Sequence, residues 1–199
     1  MDRRRRRSLL AAVVLAAIGV ASLSVATTVS AGNEPSKVDV GFLQDMIDHH
    51  DQANLLSLVA LHGDASPVAR NLAVDVLTSQ RYEIGIMDEW LRAHGLSRGG
   101  PSRTAMTWMG MHVTPATMPG MATQPQIDAL SRLTGAALDR QFFMLMIEHH
   151  EGGIHMASAA AKTATDGHVR WLAGQMARNQ RREIMEIQSV MATLPSTSG

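Results

Sequence analysis

The chain has 199 residues, with 18 basic and 18 acidic side chains and no cysteine. Those figures suit one domain with a moderate core, exclude disulfides and thiolate metal sites, and leave no electrostatic footprint for nucleic acid. Three Trp, one Tyr and three Phe stand against 14 Met, a balance that favours helices over a β-sandwich.

The N-terminal stretch RRRRRSLLAAVVLAAIGVASLSVATTVSAG is a basic segment, an apolar run and a small-residue VSA stop ending at Ala31. Residues 1–31 read as a signal peptide or as a retained membrane anchor, since Leu9 to Ala26 approaches the ~18 residues of a span. Gly19, Ser22 and Ser24 favour the signal peptide. Either reading places the domain outside the cytoplasm, in the periplasm or cell envelope, secreted or membrane-anchored. Without that segment 13 basic and 17 acidic side chains remain, a mild acidic excess.

A first helix is expected from Val38 to Leu61, ended by HGDASP, where Ser66 is placed to cap and Pro67 to open the next helix. That second helix runs to about Arg92 and stops near HGL. Next comes LSRGGPSRTAMTWMGMHVTPATMPGMAT, a connection rich in Gly, Pro and Met and long enough to suggest function or disorder. A short helical piece, Gln124 to Leu133, follows, with Gly135 as a joint. Two further helices span Ala136 to Lys162 and His168 to Met191, the latter capped by Asp166.

Residue n matches residue n + 100 over a long run. Phe42, Met46, Ile47, His49 and His50 recur as Phe142, Met146, Ile147, His149 and His150, and Gln80, Arg81, Glu83 and Ile84 recur as Gln180, Arg181, Glu183 and Ile184. The chain is therefore a duplicated helical hairpin: repeat one at 38–95, a Met-rich linker at 96–123, repeat two at 124–193. Two hairpins with matching apolar faces bury those faces best against each other, which predicts an all-α four-helix bundle over 38–193.

In the first helix a stripe of three- and four-residue steps is Phe42, Met46, His49, Ala53, Leu56 and Ala60. Its counterpart is Phe142, Met146, His149, Gly153, Met156 and Ala160. Only histidine breaks the apolar pattern, so His49 and His149 are expected to face the interior. The partner helices carry Gln80 with Glu83, and Gln180 with Glu183, in equivalent stripes. A lone buried carboxylate is expensive. Two solutions follow. One is a structural network of His49 with Glu83 and His149 with Glu183, closed by the glutamines. The other is a metal near the pseudo-two-fold axis, with imidazole ligands and carboxylates as ligands or orienters. The expectation taken forward makes His49 and His149 metal ligands and Glu83, Glu183, Gln80 and Gln180 a structural network around them.

Neighbouring helix residues diverge by about 100°, so His50 and His150 are expected on the flank beside Asp51 and Glu151. With Met46 and Met146 one turn earlier they form a candidate ligand surface, which His155 and Met156 extend in repeat two only. Solvated histidines and core methionines are the plainer reading of the same residues. His62, His94 and His168 read as polar helix ends. In the linker, Met106, Met109, Met111, His112, Met118 and Met121 are expected on flexible, exposed backbone. Soft thioethers there select Cu(I), or its mimic Ag(I); the alternative is a Met-rich strap over the bundle's apolar surface.

FLQDMIDHHDQA, MPGMA and LDRQFFMLMIEHHEGGIHMA resemble the family called domain of unknown function 305 (DUF 305) over Val38 to Met191. The resemblance implies a ferritin-like four-helix bundle, often exported, with copper binding and copper tolerance in some members. Its motif falls on Met46, His49, His50, Met118, Met121, Met146, His149, His150 and Met156. Leu56 stands where methionine is usual, Leu138 where an aromatic is usual and Gly153 where alanine is usual, and His155 is an addition.

Three functions remain in view. The first is an exported protein that buffers or carries copper, with zinc and iron still open, acting alone, as a homo-oligomer or with a copper-handling partner. The second is a metal-free interaction module whose polar core sets helix register. The third is a dimetal oxidase, and the Glu-x-x-His spacing it wants is absent; the protein is not expected to be an enzyme.

Overall fold

Helix ends in this chain are written in its caps. A computed structural model describes residues 34–194, so the expected leader lies outside it. Ser36 and Asp39 form a reciprocal capping box that starts α1, Lys37–His62. Ser66 caps α2, Pro67–Ala93, with Pro67 in its first turn. The short α3 spans Gln124–Leu130, stopping three residues before the expected end. Gly135, at φ +54°, is the joint that opens α4, Gly135–Thr163. Asp166 accepts from His168 N and Val169 N at the start of α5, Gly167–Met191. Each of these caps is worth about 1 kcal/mol. No helix among the described residues is long and apolar enough to cross a membrane.

Each hairpin packs along its own length, and α1 packs across α4. Two aspartates at the repeat offset tie the hairpins together. Asp39 on α1 accepts from Thr165 N (3.0 Å), Asp166 N (3.0 Å) and the Thr165 hydroxyl (2.5 Å), in the turn between α4 and α5. Asp139 on α4 accepts from Ser66 N (3.0 Å), in the turn between α1 and α2. The start of α1 therefore lies against the end of α4, and the two run antiparallel about a pseudo-two-fold axis.

The core is divided. One apolar cluster joins the first half of α1 (Phe42 to Ile47), the second half of α2, the end of α4 and the start of α5. The other joins the second half of α1 (Ala53 to Ala60), the first half of α2 and the first half of α4 (Leu138 to Met146). Each His-His pair sits at the break between these clusters on its own helix.

The linker is not the flexible, exposed segment expected. It makes two single 3₁₀ turns, Thr107–Met109 and Pro115–Thr117, and one antiparallel bridge between Ala105 and Val113. Met106 and Met118 are buried, and Met109, Met111 and Met121 are half-buried against the first cluster. Burying those thioethers outweighs the freedom of a loop, so the segment lies down as a strap.

Candidate metal centre

All four histidines of the paired motifs are fully buried. His49 and His149 face each other across α1 and α4, their ring centroids 3.8 Å apart and tilted by 35°. His49 Nε2 donates to Pro119 O (3.1 Å), and His149 Nε2 donates to His49 O (2.9 Å). A carbonyl only accepts, so each Nε2 carries the proton. Burial, and secondarily the neighbouring His50, push the His49 pKa down to about 3. Burial and His49 likewise hold His149 well below its ordinary value. Two neutral rings remain, each with a lone pair on Nδ1, and neither Nδ1 has a partner among the described residues.

The inward direction of His49 and His149 is as expected, but their carboxylate partners are not. Glu83 accepts from His50 Nε2 (2.7 Å) and Glu183 from His150 Nε2 (2.6 Å). His50 and His150 are thus buried rather than on an open flank. A bundle helix covers two faces: α1 turns His49 to α4 and, about 100° round, His50 to its own hairpin partner α2. The glutamines do not close the network either. Both amide atoms of Gln80 and of Gln180 are buried without a partner among the described residues, as are those of Asn54, the Ser57 hydroxyl, and Nδ1 of His50 and His150. Each such atom costs about 1–3 kcal/mol if left unmet, so the belt between the two apolar clusters is poised for groups that bond it.

The MPGMA segment closes this belt on one side. Its carbonyl at Pro119 receives His49, and the Gln52 amide clamps Ala122 by two bonds (2.9 Å to Ala122 O, 2.6 Å from Ala122 N). Against α4 the approach needs two glycines. A Cβ on Gly152 would stand 2.0 Å from Pro119 O, and one on Gly120 (φ +81°) 2.6 Å from Glu148 O. The front of the strap hangs from Asp45, which is buried. It accepts from Met106 N (2.8 Å) and Trp108 Nε1 (2.7 Å) and pairs with Arg103, which also reaches Asp48 (2.6 Å). Trp108, edge-on to Phe42 with centroids 5.9 Å apart, pins the strap. The reading from sequence missed Asp45, Asp39, Asp139 and Gln52. Asp39 and Asp139 were open to detection, being acids at the repeat offset inside apolar stripes.

Sulfur is gathered on one side of the belt. Met46, Met87, Met106, Met118, Met156 and Met176 are buried in the first cluster, and Met109, Met111 and Met121 pack on it. Among the described residues the second cluster buries Met146 as its one methionine, with Met191 at its edge. At the repeat offset Met87, Met156 and Met176 are replaced by Ile187, Leu56 and Val76. The candidate ligands are thereby sorted. Met46, Met156, Met109, Met111, Met118 and Met121 share one half with the histidine belt above it, and Met146 lies in the other half. His112 and His155 are exposed. His62 and His94 bond the carbonyls of Leu58 and Trp90 through Nδ1, as helix ends do.

Among the described residues no group of three or more His, Asp or Glu side chains converges as a metal site. What the described residues gather is thioethers packed in one cluster and imidazoles at the break between the two clusters, soft and borderline donors.

The family model described as Domain of unknown function (DUF305) matches residues 39–191. A DUF305 protein from Streptomyces coelicolor, named as a candidate secreted protein, is 35% identical with a TM-score of 0.72, over 78% of this chain and 92% of that one. A DUF305 fragment from Deinococcus radiodurans is 31% identical with a TM-score of 0.70, over 80% and 99%. CopM in its Cu(II)-bound form is 27% identical with a TM-score of 0.58, over 76% and 93%. Among curated proteins none matches.

Proposed function

This chain belongs to the DUF305 family, and on that premise we propose that it is an exported copper-binding protein that buffers or carries the metal. The observation that carries this reading is the gathering of nine methionines on one side of a belt of buried imidazoles. Met46 and Met156 from the bundle, with Met109, Met111, Met118 and Met121 from the strap, supply soft sulfur. His49, His50, His149 and His150 each keep Nδ1 free of partners among the described residues. A copper ion is cargo here, and these residues bind it, exclude water from it and hold the rings in one tautomer. The solved copper-bound forms of CopM support the choice of metal. Export is supported by the basic and apolar N-terminal segment and by the secretion named for the Streptomyces coelicolor relative.

The test is anaerobic titration of the domain with Cu(I) against a chromophoric chelator. Uptake tighter than about 1 μM is expected, and weaker uptake rejects copper carriage. The second reading, a metal-free interaction module, is favoured by one observation: every belt imidazole already has a partner at Nε2. A His149→Ala variant that keeps full Cu(I) uptake would move the site to the strap alone.

A further inference from the structure

The first hairpin carries a file of buried polar side chains that the second does not. On α1, His50, Asn54 and Ser57 follow at four- and three-residue steps and share one face. The bond from His50 to Glu83 shows that this face meets α2 and fixes the register of the antiparallel pair. Stepping along both helices from that bond brings Asn54 level with Gln80, and Ser57 level with Val76. Asn54 is 4% exposed, Gln80 2% and Ser57 0%. His50 Nδ1, both amide atoms of Asn54, both of Gln80 and the Ser57 hydroxyl have no hydrogen-bond partner among the described residues.

At the same stations the second hairpin has His150, Ile154, Ala157, Gln180 and Glu183. Two polar groups are replaced by apolar ones, so the file is a property of the first hairpin rather than of the duplication. The glutamines are also seated differently. Gln180 Oε1 lies where a Cβ on Gly153 would stand 2.3 Å away, and the matching station in the first hairpin holds the methyl of Ala53. Gln80 is denied that seat.

The lining decides the ligand. Two amides and a hydroxyl present donors as well as acceptors, and the carboxylate at the rim, Glu83, already accepts from His50. A bare cation would answer the oxygens and leave the amide N–H groups unmet. Water answers both, and buried polar sites of this kind hold water with two to four bonds each. We propose that the α1–α2 interface encloses a cluster of ordered water bound by Asn54, Ser57, Gln80 and His50 Nδ1, with its mouth at Glu83, whose side chain is 13% exposed. In the metal-free protein the cluster gives the buried His50 ring a hydrogen-bonded route to solvent.

The experiment is water-to-amide magnetisation transfer by NMR on the labelled, metal-free protein, with an Asn54→Ile/Ser57→Ala variant that carries the second hairpin's residues. Long-lived water contacts are expected at the side-chain amides of Asn54 and Gln80. The variant is expected to keep the helical circular dichroism of the parent and to lose more than half of the Gln80 signal. Should the double variant not fold, Ser57→Ala alone serves, with a smaller loss at Gln80. Absence of water contacts at Asn54 and Gln80 in the parent, or a Gln80 signal indifferent to the substitutions, overturns the proposal.

Discussion

Burial sets the charge of the belt. In the unfolded chain His49 titrates near 6.5, and in the fold near 3; His149 moves the same way. Below pH 6.5 the unfolded state therefore binds protons that the folded state refuses. Stability of the metal-free protein is whole above that pH and falls as pH drops toward 3. Urea unfolding at a series of pH values checks this, and a flat profile between pH 6.5 and 4.5 contradicts it. Asp39 acts in a lower window. Burial alone would raise its pKa, but hydrogen bonds from Ser36, Thr165 and Asp166 outweigh that and hold it below 3.8. Its contribution is present above 3.8 and lost as pH falls through the folded value. Replacing Asp39 by Ala strands the Thr165 and Asp166 N–H groups, and a loss of more than about 2 kcal/mol in unfolding free energy is expected.

At the scale of elements, the strap is the part that depends on close fit. A Gly152→Ala methyl would meet Pro119 O head-on, so the MPGM turn must lift and His49 loses its acceptor. A cost of about 1–3 kcal/mol is expected, with faster proteolysis within residues 97–123; an unchanged melting temperature and digest would contradict the clamp. Why some elements were readable follows from the same physics. The helices and their caps were legible because Ser66–Pro67 and Asp166 act locally, and the inward turn of His49 because its stripe is otherwise apolar. The partner of Glu83 was not legible. A helix in a bundle buries two faces, and the wheel alone does not say which of His49 and His50 meets its own hairpin partner. The strap stood in the sequence only as the alternative to an exposed linker, because Gly and Pro signal turns without saying whether a buried acid, here Asp45, holds the backbone down.

The whole molecule is a duplication that kept its fold and lost its chemical symmetry. Both hairpins retain a His-Glu pair with a buried imidazole and a cross-hairpin aspartate, while buried sulfur is concentrated in one of the two apolar clusters, to which both hairpins contribute. Adding sulfur to the other cluster tests whether that difference sets the capacity for metal. Leu56→Met, Val76→Met and Ile187→Met together copy the sulfur-rich cluster. Two are close in volume to the residues they replace, while Val76→Met adds bulk. Bound Cu(I) per chain is expected to rise, and an unchanged ratio would show that these core methionines are packing alone. The most direct test of the account is the X-ray absorption spectrum of the Cu(I)-loaded protein at the copper edge. Sulfur scatterers joined by imidazole nitrogen are predicted, with the sulfur contribution reduced when Met46, Met118 and Met156 are replaced by Leu. A first shell of nitrogen and oxygen alone, unchanged by those replacements, would contradict it.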